Sequence, residues 1–140
     1  ITNKFIKEAM TEFIRHQLEI YFIENKAYAE KIAEQLLVNK RSREQAEKAK
    51  IVDGYDSTRW RKDFAGAWIK KDQYGIQSIY GWEIDHLKPV KLGGSDDISN
   101  LSPLHWENNR AKSSNYPRFR TVISSEGNRN VNAEKLWLIS

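Results

Sequence analysis

The residues with the clearest chemical potential lie in EIDHLKPVKLGGSDDISNLSPLHWENNRAKSSN, residues 83–115. This segment sets Asp85 beside His86, continues into a Gly-Gly loop, and ends in an Asn-Asn-Arg run. Carboxylate and amide oxygens suit a hard cation such as Mg²⁺. A neutral imidazole beside such a cation can take a proton from water. The segment therefore indicates metal-assisted hydrolysis of a phosphodiester.

Two short strands and a helix are needed to bring these residues together. YGWEIDH alternates in the manner of a strand, KPVKLGGSDDIS predicts a loop, NLSPL a second strand, and HWENNRAKSS a helix. In this order, Asp85 and His86 would face Asn109 across a small gap. Farther on, RTVISS, EGNRN and KLWLIS predict a C-terminal β-hairpin that turns near Gly127.

Residues 1–50 contain no Gly and no Pro, and their apolar residues recur at helical spacing. They predict two helices that form a hairpin, with a break near Asn25. The stretch NKRSREQAEKAK keeps helical composition but loses the apolar face, which predicts a solvated or DNA-facing arm. The aromatic cluster of the first helix is large, so we expect the second domain, a second copy of the chain or further sequence to cover it.

The change in amino-acid composition at residue 50 predicts an α+β protein with two domains. All seven Gly, all three Pro and all five Trp lie beyond this point. We assign residues 1–52 to the helical hairpin and arm, as a connector or dimerisation element. Residues 53–140 form the second domain.

Composition excludes several classes of protein. No apolar run is long enough to span a membrane. The absence of Cys excludes disulfides and thiolate zinc sites, and is typical of a cytoplasmic protein. The net charge of +4 permits a nucleic-acid partner without requiring one. The start ITNKF, which lacks Met, predicts a trimmed fragment.

The same residues resemble the HNH (ββα-metal) endonuclease motif. The resemblance rests on IDH, on Asn100 fourteen positions after His86, on Asn109 nine positions later, and on NRAKSSN; it extends over about residues 53–140. It implies a ββα-metal nuclease domain that cuts DNA, in duplex form, with one Mg²⁺ or Mn²⁺ ion.

The resemblance also implies a role for each residue of the motif. His86 would be the general base that activates water, and Asp85 and Asn109 would be the metal ligands. Asn100 would hold the predicted loop in place so that the His86 imidazole has the orientation that the reaction requires. Glu83, two residues before Asp85 on the same strand face, could support the metal shell.

Basic residues near the motif are candidates for DNA binding. The resemblance implies that Arg110 and Lys112 hold phosphates. For Arg59, Arg61 and Lys62, phosphate contact and simple exposure to solvent remain alternatives. His105 could share the metal or serve as a structural hydrogen-bonding residue. Many HNH relatives carry zinc-binding Cys where this chain has His105 and Asn108, so no structural zinc is expected.

A weaker resemblance concerns residues 5–50, which are similar to the C-terminal transducer helices of gyrase-B-type topoisomerase ATPase subunits. It rests on ENxxxAEKI followed by an Arg-rich helix. It implies that the nuclease is the C-terminal effector part of a longer, topoisomerase-like protein, with defence among its candidate roles. Two alternatives remain: a catalytically idle DNA-binding module of a larger machine, and a dimerisation unit that would make the protein a homodimer.

Overall fold

The computed structural model describes residues 3–140, and contacts divide them into two compact units. The first unit ends at Lys40, and the second runs from Arg41 to Ser140. None of the described helices combines the length and the apolar content that crossing a membrane requires. The two units are described separately below.

Two long helices account for the first unit. Helix α1 spans Asn3–Glu24, and helix α2 spans Lys26–Lys48. The predicted pair of helices and the break at Asn25 are present. The predicted hairpin is wrong, because a chain reversal between helices needs a loop of about two to five residues and only Asn25 separates these two. The Asn25 N–H donates to the Tyr21 carbonyl, and its own carbonyl accepts from the Ala29 N–H.

The apolar face of α1 remains uncovered in the structure. No residue of α1 is buried, and the side chains of Phe5, Met10 and Phe13 are 60%, 59% and 65% exposed. Most helical stability in proteins comes from packing of such a face, and the described residues supply no such packing for α1.

The last two turns of α2 belong to the core of the second unit. Gln45 and Ala46 are buried, and Ala46 and Ala49 pack with Ile69 and Trp82. The prediction of a solvated or DNA-facing arm is therefore wrong for Gln45, Ala46 and Ala49, whose side chains are buried. Small alanine side chains let the helix approach the large indole ring, so a segment without an obvious apolar face still contributes to the core.

Two antiparallel strand pairs frame the second unit. Strands β1 (Trp60–Lys62) and β2 (Trp68–Lys70) form the first pair. Strands β5 (Arg118–Glu126) and β6 (Arg129–Leu138) form a long hairpin, as predicted, with its turn at Gly127. Gly127 has φ +58°, a left-handed conformation that glycine adopts without strain.

Between these pairs lies the strand–loop–strand–helix unit that the sequence indicates. Strand β3 (Trp82–His86) pairs antiparallel with β4 (Leu101–His105), and helix α3 (Trp106–Lys112) follows β4 directly. The intervening loop contains Gly94, where an added Cβ would lie 1.7 Å from the Lys88 carbonyl oxygen. Only glycine allows the loop to fold back this tightly on its own start.

Candidate active site

Strand β3 presents two acidic side chains to helix α3. Glu83 and Asp85 are two residues apart and therefore lie on the same face of the strand. Glu83 contacts Asn109 and Arg110, and Asp85 contacts Lys112. Because α3 begins immediately after β4, its polar residues return to the strand that neighbours β4. The predicted juxtaposition of β3 and α3 is thus present.

Asp85 is almost fully buried and interacts with a buried ammonium group. The Lys112 Nζ lies 3.2 Å from Asp85 Oδ2 and donates hydrogen bonds to Asp85 Oδ1 at 3.4 Å and to the His86 carbonyl at 3.1 Å. Asp85 Oδ2 has no hydrogen-bond partner although it is buried. Burial raises the pKa of Asp85, and the charges of Lys112 and His86 act in the opposite direction.

Asn109 is oriented by a neighbouring carboxylate. Its Nδ2 donates to Glu83 Oε1 at 3.1 Å, and the Arg110 guanidinium donates to both Glu83 oxygens, at 2.6 and 3.3 Å. The amide nitrogen is therefore committed to Glu83. No donor contacts Asn109 Oδ1 within residues 3–140, so the amide oxygen remains available as a ligand.

These observations fit a hard cation with few protein ligands. Asp85 Oδ2 accepts no hydrogen bond, although the Lys112 ammonium lies 3.2 Å away, and among residues 3–140 no hydrogen bond reaches Asn109 Oδ1; the two oxygens lie on elements that contact each other. Over residues 3–140, no three His, Cys, Asp or Glu side chains converge as a metal cluster. Mg²⁺ does not need such a cluster, because it keeps several water ligands and binds through one or two carboxylates plus substrate phosphate.

His86 has a partner that the sequence analysis did not identify. Its Nε2 lies 2.8 Å from Asp96 Oδ1, and its ring is partly exposed. The hydrogen bond with His86 lowers the pKa of Asp96. The one signal in the sequence was the pair of acidic residues after Gly93–Gly94, since a loop that folds back tightly returns them toward the end of β3.

Asn100 binds the backbone at two points of the loop between β3 and β4. Its Oδ1 accepts from the Lys88 N–H at 2.9 Å, and its Nδ2 donates to the Lys88 carbonyl at 3.0 Å and to the Ser95 carbonyl at 2.8 Å. Lys88 follows His86 by two residues, and Ser95 precedes Asp96. These hydrogen bonds therefore span the loop that joins the imidazole to its carboxylate partner.

His105 belongs to a buried network away from Asp85. Its Nε2 faces the Ile79 carbonyl at 2.8 Å, and its Nδ1 accepts from the Glu107 N–H at 3.1 Å. Both ring nitrogens are engaged, so the alternative of a shared metal ligand is not supported by the geometry. The position of its proton, on Nε2, follows from these two partners.

Asp63 and Asn108 complete this network, and the sequence analysis missed Asp63. Asp63 accepts four hydrogen bonds, from the backbone N–H groups of Ala65, Ala67 and His105 and from Asn108 Nδ2. Asn108 also donates to the Ile123 carbonyl and accepts from the N–H groups of Val122 and Ile123. Burial raises the pKa of Asp63, and the hydrogen bonds oppose that shift. The network joins the β1–β2 turn, α3 and β5.

Two of the predicted DNA contacts are wrong. Lys112 is fully buried, with its ammonium on Asp85 and 5.1 Å from the centre of the Phe119 ring. Arg61 is also buried, and donates to the carbonyls of Glu47, Ala49 and Ser57. Each side chain satisfies its charge inside the protein, where phosphate cannot reach it.

Three other basic residues remain accessible. Arg59 lies 3.9 Å from Asp56 and is largely exposed, and the Lys62 Nζ lies 4.7 Å from the centre of the Trp68 ring. Arg110 is half exposed while it holds Glu83. Their predicted contacts with phosphate remain predictions.

Comparison with known families gives two matches, one in each half of the chain. Residues 69–115 match the family model described as HNH endonuclease, and residues 1–52 match the family model described as DNA gyrase B. Both resemblances inferred from the sequence are thereby confirmed. No curated protein and no solved structure matches significantly. The first match contains Asp85, His86, Asn100 and Asn109.

Proposed function

We propose that this protein is a metal-dependent DNA endonuclease, taking as our premise the match of residues 69–115 to the HNH endonuclease family. One observation carries the proposal beyond family membership. Strand β3 and helix α3 bring together the Asp85 carboxylate, whose Oδ2 accepts no hydrogen bond and has only the Lys112 ammonium at 3.2 Å, and the Asn109 amide, whose nitrogen is held by Glu83; His86 follows Asp85 in the chain. An oxygen-ligated cation beside an imidazole is the arrangement that phosphodiester hydrolysis needs.

Each side chain has a defined task in this proposal. Asp85 and Asn109 hold Mg²⁺ or Mn²⁺, which when bound neutralises charge on the scissile phosphate and on the leaving oxygen. His86 takes a proton from the attacking water. Glu83 keeps the Asn109 amide turned so that its oxygen, rather than its nitrogen, is presented. The Lys112 ammonium offsets the cost of removing the Asp85 carboxylate from water.

Plasmid nicking tests the role of His86. His86→Ala should lower the rate by about 100-fold or more, as expected for loss of a general base. His16→Ala is the matched control, because His16 lies on the exposed face of α1, and it should cut like the parent protein. Undiminished nicking by His86→Ala would refute the assignment of the base. DNA binding without nicking by the parent protein would favour the idle DNA-binding module.

Calorimetry with Mg²⁺ or Mn²⁺ tests the ligands. Asp85→Ala and Asn109→Ala should each weaken binding of the ion, whereas Asp97→Ala and Asn115→Ala, at exposed positions, should not. Equal affinities in all four variants would contradict the ligand set. Light scattering of the same protein tests the predicted homodimer.

We also propose that the nuclease acts within a larger, topoisomerase-like DNA-processing protein. The match of residues 1–52 to DNA gyrase B supports this proposal. The reading frame that encodes the protein provides the test. An ATPase domain encoded before residue 1 would support the proposal, and a start codon directly before it would refute it.

A further inference from the structure

His86 and Asp96 form a pair whose geometry is set by the backbone around it. The two side chains meet at 2.8 Å, between His86 Nε2 and Asp96 Oδ1. Asp96 is otherwise largely exposed to solvent, so burial does not force it toward the ring. The placement of the carboxylate must therefore come from the loop that carries it.

That loop is fixed on both sides of Asp96. On one side, the Gly94 N–H donates to the Pro89 carbonyl, and the Ser95 carbonyl accepts from Asn100. On the other side, the Asp97 carbonyl accepts from the Asn100 N–H. These bonds leave Asp96 little freedom to move away from the imidazole.

A second anchor comes from the end of helix α2. The Lys48 Nζ donates to the carbonyls of Ile98 and Leu101, where the loop enters β4. Burial lowers the pKa of this lysine. Backbone groups of Gly94, Ser95, Asp97 and Ile98 are thus held in place around one exposed carboxylate, which is more order than an ordinary surface loop requires.

We infer that Asp96 is the positioning residue of His86. The inference rests on the proposed function. A carboxylate only accepts hydrogen bonds, so the shared proton lies on Nε2 and the lone pair of the neutral ring lies on Nδ1. Asp96 thereby selects one tautomer and holds the ring plane. Nδ1 is the nitrogen that takes the proton from water.

In the proposed step, the attacking water loses a proton to His86. The water proton moves to Nδ1, and the electron pair of that O–H bond stays on the oxygen that attacks phosphorus. The bond from phosphorus to the leaving oxygen breaks, and that oxygen takes a proton from solvent. The imidazolium that results faces the Asp96 carboxylate, which stabilises its charge.

Cleavage kinetics provide the first test. Asp96→Ala should lower kcat by about 10- to 100-fold, the usual cost of removing the partner that orients a functional histidine, with KM changed less than about twofold. Asp96→Asn retains an acceptor and should fall between Asp96→Ala and the parent protein. Asp97→Ala is the matched control at the neighbouring exposed position. Thermal unfolding should show that the Asp96 and Asp97 variants are both fully folded at the assay temperature, which separates positioning from loss of the fold.

The ring tautomer provides a second test that does not depend on activity. Two-dimensional ¹H–¹⁵N spectra at alkaline pH, where imidazoles are neutral, should show His86 as the Nε2–H tautomer in the full chain. Asp96→Ala should convert it to a mixture, and Asp97→Ala should not. His105 is an internal reference, because its partners at Ile79 and Glu107 set its own tautomer. His86→Gln assigns the signals.

The outcomes separate this inference from the proposed function. An Nδ1–H tautomer in the parent protein, or kcat and tautomer both unchanged in Asp96→Ala, would overturn the positioning role. Full activity of His86→Ala would instead overturn the proposed function, and the tautomer of His86 would still report whether Asp96 orients the ring.

Discussion

Replacing Lys112 tests whether its ammonium pairs with the buried Asp85 carboxylate or binds a DNA phosphate. The Lys112 ammonium is fully buried, 3.2 Å from a carboxylate that is 94% buried, since only 6% of the Asp85 side chain is exposed. Lys112→Met keeps the length of the side chain and removes its charge. The variant leaves Asp85 in the interior without a positive partner.

The structure sets the expected size of the effect. Two unit charges 3.2 Å apart attract by about 5 kcal/mol at an effective dielectric constant of 20. Desolvation opposes this attraction, and breaking a buried pair by removing one partner typically costs about 3–5 kcal/mol. We therefore expect Lys112→Met to lower the free energy of unfolding by about 3 kcal/mol, a large part of the ~5–15 kcal/mol of an ordinary domain.

Urea unfolding followed by tryptophan fluorescence measures this loss. Lys91→Met, at an exposed lysine, is the control and should change stability by less than about 0.5 kcal/mol. Adding Asp85→Asn to Lys112→Met should recover part of the loss, because it removes the unpaired charge. DNA binding without divalent ions should keep its dependence on log salt. If Lys112→Met is as stable as Lys91→Met and its DNA binding depends less steeply on log salt, then Lys112 contacts phosphate and our reasoning is wrong.

Three further predictions concern the hydrogen-bond networks around the site. Asn100→Ala removes three bonds to the loop backbone and should lower kcat for nicking at least about tenfold, with about 1 kcal/mol lost in urea unfolding. Asn108→Ala breaks four buried bonds and should cost about 3–4 kcal/mol in the same assay, whereas exposed Asn115→Ala should cost almost nothing. The lowered pKa of Asp96 means that its contact with His86 contributes stability above the usual Asp range, which is lost as pH falls through the lowered pKa. Asp96→Asn should therefore flatten the acid side of the curve of stability against pH, and an unaltered curve would contradict this.

Local patterns were enough to predict strands β3 and β4, helix α3 and the C-terminal hairpin of the second unit. Alternation around β3, the turn at Gly127 and the order of strand, strand and helix depend on neighbouring residues, and the structure contains them. The two helices of the first unit were predicted for the same reason. The prediction that these helices form a hairpin was wrong. The number of residues between two helices decides whether the chain can reverse, and helical periodicity does not reveal that number.

The charged residues of the interior could not be predicted from local patterns. The resemblance implied that Lys112 holds phosphate, and phosphate contact or exposure to solvent were the alternatives for Arg61, in keeping with the general rule that Lys and Arg are almost always exposed unless paired. Their partners are distant in sequence: Lys112 bonds Asp85, 27 positions away, and Arg61 bonds the Ala49 carbonyl, 12 positions away. Asp63 has partners at Asn108 and His105, 45 and 42 positions away, and its role is visible only in the folded chain.

The end of helix α2 makes the nuclease-like unit less separable than its composition implies. Trimming the protein to residues 53–140 would take Ala46 and Ala49 away from Trp82. It would also remove the Glu47 and Ala49 carbonyls that accept hydrogen bonds from the Arg61 guanidinium. The hydrogen bond from Lys48 to the Ile98 carbonyl, just before β4, would be lost as well. The second compact unit accordingly begins at Arg41 rather than at residue 53.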